Sequence, residues 1–120
     1  MLHFITPDSE RTMLTYLGAT SNISPQHINE DIISRSEWIY LEGYLFSQEN
    51  SADALYKAIE ISKKNNTKIS LTFSDAFITE NFRDNINKII PDCDLIFCNE
   101  NEARSFTGEK TSDIAIDKLF

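Results

Sequence analysis

The chain has 120 residues, 41% hydrophobic and 25% charged, enough for one core and short for two ordinary domains. A formal charge of −8 and a pI near 4.6 exclude the clustered basic surface that neutralises a phosphate backbone, so nucleic acid is not an expected partner. No run reaches the ~20 apolar residues that span a bilayer, and MLHFITPDSERT lacks the charged start and apolar centre of a secretion signal, so the cytoplasm is the expected location and no membrane the expectation.

In chain order, LHFIT and RTMLTYLG are strand-like runs around the turn Pro7-Asp8-Ser9-Glu10, and residues 1–18 read as a β-hairpin. Ser24 then has the character of an N-cap with Pro25 at the first helical position, and Ile28, Ile32 and Ile33 predict the apolar stripe of a short helix. His3 and His27 have no partner at metal-ligand spacing and are expected at or near the surface.

From Glu37 onward the pattern changes to apolar strand, polar turn and amphipathic helix, the signature of βαβ units. WIYLEG (38–43), KISLTF (68–73) and DLIFC (94–98) predict parallel strands buried on both faces. Between the first two, Ala52, Leu55, Ile59 and Ser62 share a helix face that Asn65-Asn66 can close with a left-handed cap. Between the last two, Phe82, Ile86, Ile89 and Ile90 have helical spacing and Pro91 is the stop. Cys93 and Cys98 lie about 16 Å apart along an extended strand and face opposite sides, too far for a disulfide. They are expected as small buried apolar residues in a reducing compartment.

Ile114, Ile116 and Leu119 promise one more amphipathic helix. Three strands this apolar call for more strands beside them and for helices on both faces. The expectation is therefore a central α/β portion, residues 19–120, of a larger doubly wound enzyme, cut at both ends.

Parallel strands share one carboxyl edge, where ligands of open α/β sheets bind. That edge carries Glu42-Gly43-Tyr44, then Ser74-Asp75-Ala76-Phe77, then Asn99-Glu100-Asn101-Glu102, a rim suited to a cation or a polyol. Asn99 and Glu102 have the spacing of a capping box, which accounts for the pair without any ligand. The same spacing lets a carboxylate hold Mg²⁺ through its waters while an amide meets phosphate. Glu42, Asp75 and Glu100 are weaker candidates. Phe77 is read by position as core, with stacking on a flat ligand as the alternative, and Arg11 beside the turn carries no signal of its own.

TPDSERTMLTYLGA, WIYLEGYLF, LTFSDAFITENFRDNI and DLIFCNENEARSFTG occur in an order that resembles the PfkB carbohydrate kinases, the ribokinase-like group, and within it the adenosine kinase branch. The strongest element is Asn99-Glu100-Asn101-Glu102-Ala103 followed by Thr107-Gly108. The resemblance implies a ribokinase-like doubly wound parallel sheet, of which these residues are a βαβαβ portion, with the hairpin as part of a lid over the sugar. It implies ATP and Mg²⁺ as cofactors and a sugar or nucleoside as substrate. Glu102 matches the glutamate that orders Mg²⁺ through water, and Asn99 the asparagine on the phosphate side. Arg11 and Met13 match adenosine kinase positions near the transferred phosphate and the nucleoside, and Phe77 matches the aromatic that packs on the base. Glu42 stands where ribokinase-like members contact the sugar and adenosine kinases differ. Pairing of two copies through lid strands is a further implication.

The family's Gly-Gly substrate motif is absent, as is the Gly-Ala-Gly-Asp motif whose helix N-terminus forms an anion hole and whose Asp is the general base. No catalytic residue is therefore expected within these 120 residues, which should be inactive alone. The competing expectation is a non-catalytic α/β binding or interaction module whose strand-tip acids are only caps.

Overall fold

The computed structural model describes residues 2–119. Strands β1 (Leu2–Ile5) and β2 (Arg11–Leu14) form an antiparallel hairpin, with Leu2 opposite Leu14 and Ile5 opposite Arg11. Both are exposed along their whole length. Two-stranded hairpins are marginal alone, so this one presents apolar side chains that want a cover.

The helix predicted after Ser24 is divided. Ser24 caps a single 3-10 turn, Pro25–His27, in which His27 Nδ1 accepts from the Ser24 backbone N–H at 3.1 Å. Asn29 then caps a separate helix, α1 (Glu30–Ser34), by accepting from the Ile32 N–H. The physical reason is that Asn29 competes for the backbone at a new N-terminus, so Ile28 adopts extended geometry. Ile33 is buried, whereas Ile32 points to solvent.

Strands β3 (Trp38–Glu42), β4 (Lys68–Thr72) and β5 (Leu95–Phe97) form a parallel sheet in the order β3-β4-β5. The connections contain α2 (Glu49–Asn65) and the pair α3 (Ala76–Asn81) and α4 (Arg83–Ile89). The α2 stripe is as predicted, with Ala52, Leu55, Ile59 and Ser62 buried and Asn66 at φ 56 closing the helix. The predicted helix ahead of Pro91 begins earlier, because Asp75 caps α3 by accepting from Phe77 N–H at 2.8 Å, and it breaks at Phe82. Pro91 belongs to a 3-10 turn, Ile90–Asp92.

Burial on both sheet faces is corrected. Ile69, Leu71 and Phe73 join Leu41, Leu55, Ile59, Ile78, Ile86 and Ile89 in one core. Same-handed crossovers lay successive helices on the same face when the strand order advances in one direction. The opposite face stays open over Trp38, Tyr40, Leu95 and Phe97, with Tyr40 58% exposed. Sheets of this kind are covered on both sides in stable domains.

After β5 come α5 (Glu100–Thr107) and α6 (Ser112–Leu119). The expected stripe of α6 is also corrected. Ala115 is its fully buried residue, while Ile114 and Ile116 are about half exposed. The cysteines are both free, and Cys98 is exposed rather than buried. Burial, aided by Asp92 and Asp94, pushes the half-buried Cys93 thiol up to about 11.

Gly108 ends α5 at φ 76, donating its N–H to Arg104 O at 2.8 Å, and an added Cβ would meet nothing within 4 Å. Gly108→Ala should therefore cost about 1–2 kcal/mol through the left-handed backbone alone. Urea unfolding of the two proteins checks this, with the midpoint lowered and the slope unchanged.

Candidate functional site: the carboxyl rim of the parallel sheet

Glu42 pairs with Thr72, and Thr72 with Phe97, so these three residues form the last complete row of the sheet. Two residues beyond each stand Tyr44, Ser74 and Asn99. The three strand tips thus open on one rim, as the chain order predicts. The tips approach closely because Gly43 has no side chain: a Cβ there would lie 2.6 Å from the Phe73 carbonyl oxygen. Past Phe73 the chain turns sharply, with Asp75 N–H donating to Phe73 O at 2.9 Å around Ser74 at φ 72. That is the strained form of the γ-turn.

Asn99 and Glu102 form a complete capping box. The Asn99 side-chain oxygen accepts from Glu102 N–H at 2.8 Å, and Glu102 Oε2 accepts from Asn99 N–H at 3.1 Å. The Asn99 amide also donates to Glu102 Oε1 at 2.9 Å. Glu102 is only 7% exposed, and among the described residues no Lys, Arg or His forms an ion pair with it. Buried carboxylates are normally paired or close to a cation.

The fit of this pair to a metal follows from its lone pairs. Among the described residues no three of His, Cys, Asp and Glu converge to ligate an ion directly. Each Glu102 oxygen accepts one hydrogen bond from Asn99, which leaves acceptor capacity on both. The donor set therefore suits a hydrated Mg²⁺, which retains its waters and is bound through few carboxylates.

The rim is acidic throughout. Partial burial first, and then the charges of Asp75, Glu102 and Glu42, push the Tyr44 phenol above its ordinary value. Desolvation and Glu102 likewise push the Cys98 thiol up, so the rim offers no ready thiolate. A triphosphate approaching this edge meets like charge unless cations accompany it.

Phe77 lies in the first turn of α3, 57% exposed, with its ring edge-on to Phe82 at 6.4 Å. The core position read from spacing is thus corrected, since Ile78 and Thr79 take the buried side of α3. Arg11 and Met13 lie on the hairpin, and among the described residues neither shares a hydrogen bond or ion pair with the rim. The structure therefore brings Asn99, Glu102 and Asp75 to one edge with Tyr44, and among the described residues shows no polar contact of Arg11 or Met13 with that edge. Sequence reasoning placed Tyr44 on this rim but gave it no role, because only the paired strands show which residues stand level with it.

The family model described as pfkB family carbohydrate kinase matches residues 1–119. The adenosine kinase of Saccharomyces cerevisiae is 31% identical over 107 residues, covering 88% of this chain and 31% of its own length. The guanosine-inosine kinase of Escherichia coli K12 is 30% identical over 118 residues, covering 95% and 27% respectively. The solved adenosine kinase of Sinorhizobium meliloti superposes on 98% of this chain and 36% of that one, with TM-score 0.91 and 30% identity. The chain spans about a third of the length of the relatives it matches, and its sheet is the βαβαβ portion of the ribokinase-like fold. On this evidence the chain belongs to the pfkB family of carbohydrate kinases.

Proposed function

We propose that these residues form the carboxyl rim of an ATP-dependent kinase that phosphorylates the hydroxymethyl group of a sugar or nucleoside. One observation carries the reading: a nine-tenths-buried carboxylate, Glu102, stands at the shared strand edge with no cationic partner among the described residues. In this reading Glu102 holds hydrated Mg²⁺ through a water, and Asn99 fixes the carboxylate and faces the phosphates. The ion, when bound, neutralises phosphate charge that the acidic rim would otherwise repel. Phe77 presents its exposed ring to a nucleoside base, while Arg11 and Met13 approach only when the hairpin closes as a lid.

Residues 1–18 are then the lid portion and 19–120 the central portion of the kinase core. The uncovered hairpin and the open sheet face support that division, since each leaves apolar surface for further structure of the same fold. Pairing of two copies through the lid strands would use the same exposed edges, and the cytoplasm supplies the ATP. The 120 residues contain no Gly-Ala-Gly-Asp, so alone they lack the base and anion hole and transfer no phosphate.

A second reading, a non-catalytic α/β binding module, is favoured by the completeness of the capping box, which explains Asn99 and Glu102 structurally. Phosphate transfer from γ-labelled ATP by the full natural chain, tested with ribose, fructose and adenosine, separates the two. Transfer to at least one, with none by residues 1–120 alone, is expected. A full chain inert toward all three supports the module, and turnover by the 120 residues alone would refute the missing-base argument.

A further inference from the structure

The hydrogen bonds between Asn99 and Glu102 lie within the first turn of α5. They travel with the helix and cannot set its orientation against its neighbours. Phe106 and Ser105 do that. Phe106, 6% exposed, packs on Phe73 at 5.0 Å with the Arg83 guanidinium 5.7 Å over its ring, which fixes where the helix sits. Ser105 reaches across to α3, its hydroxyl 2.9 Å from the Thr79 hydroxyl and 3.5 Å from Glu80 Oε1. Among the described residues every side-chain hydrogen bond between α3 and α5 passes through Ser105. Thr79 is fully buried, with its hydroxyl also 2.8 Å from Ala76 O on its own helix. Its mount is firm, because Ile78 is buried in the core and Asp75 caps α3.

Consecutive helical residues point about 100° apart around the axis, so contacts at Ser105 and Phe106 together oppose rotation of α5 about that axis. A single contact leaves the roll open. At the far end Lys118 donates to Thr107 O at 3.3 Å, but a backbone carbonyl lies near the axis and has little leverage on roll. Glu102 is the residue a roll displaces to most effect: at a side-chain radius of about 5–6 Å, a turn of about 20° carries its carboxylate about 2 Å sideways. A site that binds an ion through one water needs its partners held to about 0.5 Å. Resting on the kinase reading above, we propose that Thr79 is a positioning residue, whose hydroxyl holds Ser105 and thereby fixes the roll of α5 that aims Glu102 into the rim. The pair suits dissection, since neither substitution strands a buried donor: without Ser105, Thr79 keeps Ala76 O, and without Thr79, Ser105 turns to Glu80.

The test has a spectroscopic arm and a turnover arm, both on the full natural chain. The Asn99 side-chain amide, which donates to Glu102 Oε1 at 2.9 Å, gives NMR signals assigned by their loss in Asn99→Asp. Thr79→Val and Ser105→Ala should shift these signals in the same direction, and Thr79→Ser should leave them at the parent position. In a Mg²⁺ titration of turnover, Thr79→Val should raise the half-maximal Mg²⁺ concentration about fivefold, the effect of one lost hydrogen bond. The value of kcat at saturating Mg²⁺, KM for the polyol and the melting temperature should stay close to the parent's. Ser105→Ala should match it, the double variant should be no worse than either, and Thr79→Ser should restore the parent. Ser62→Ala is the control, a fully buried hydroxyl that back-bonds to Ala58 O at 2.8 Å away from the rim, and it should leave the Mg²⁺ demand as it was.

Turnover with unchanged Mg²⁺ demand in Thr79→Val, whether or not the Asn99 signals move, overturns the assignment and leaves the kinase reading standing. Additive effects in the double variant overturn it as well, since the two hydroxyls would then act separately. A parallel loss of stability, kcat and Mg²⁺ affinity that Thr79→Ser does not restore would mean that Thr79 is structural. Shifted Asn99 signals in a parent chain that turns over no polyol keep the positioning and defeat the kinase reading. Neither shift nor turnover defeats both.

Discussion

Replacing Glu102 by Gln should raise the Mg²⁺ concentration needed for half-maximal turnover about 10- to 100-fold, the usual cost of removing an outer-shell metal partner. The substitution separates the capping role that the structure shows from the metal role proposed for the same residue. Gln at the third helical position still completes a capping box, so it can accept from Asn99 N–H where Glu102 does at 3.1 Å. Its side chain fits the same nine-tenths-buried place. What it lacks is the charge, with its attraction for a hydrated dication, and the second acceptor that the Asn99 amide meets at 2.9 Å. The melting temperature should move little, and saturating Mg²⁺ should restore a large part of the rate. A Mg²⁺ titration at fixed ATP, with a thermal melt beside it, reads both. Full activity at limiting Mg²⁺ would reduce Glu102 to a cap, and a collapse in stability would show that the buried charge itself holds α5 in place.

Phe73→Ala should cost about 3–5 kcal/mol, the range for emptying a buried aromatic site. Against a total of about 5–15 kcal/mol for an ordinary domain, this brings the chain near its unfolding threshold. Phe73 is fully buried, and its ring lies 5.0 Å from that of Phe106 on α5. Its N–H donates to Phe97 O at 3.0 Å, and its carbonyl receives both the Asp75 N–H and the close approach of Gly43. One residue therefore ties the tips of all three strands to the helix that carries Glu102. Urea unfolding measures the loss of stability, and turnover should fall at temperatures where the variant remains folded, because α5 can shift on the vacated space. A loss below 1 kcal/mol would mean that the cavity closes and that Phe73 does not brace the rim.

The sequence made the strands legible because their apolar runs are short and bounded by turn residues, and made α2 legible because its stripe and its left-handed cap agree. It misled where a local polar side chain outcompetes a pattern. Asn29 and Asp75 each start a helix of their own, which the spacing of Ile28, Ile32 and Phe82 does not announce. Nor could it say that Trp38, Tyr40, Leu95 and Phe97 share one open face, since an apolar run reads the same whether one side or both are covered. At the site, Asn99 and Glu102 were legible because a capping box is local, spanning four residues. Tyr44 was legible as a rim residue, but its standing level with Ser74 was not, because that depends on a register between strands thirty residues apart. Phe77 faces solvent because Ile78 and Thr79 occupy the inner side of a helix only six residues long.

A crystal structure of the full natural chain with Mg²⁺ and a non-hydrolysable ATP analogue tests the central claim most directly. The account predicts the phosphates at the edge carrying Tyr44, Ser74 and Asn99, with Mg²⁺ one water away from Glu102 and no direct bond of about 2.1 Å between them. Phosphates seated at the opposite edge, beside Lys68 and Asp94, or an ion with no water shared with Glu102, would contradict it.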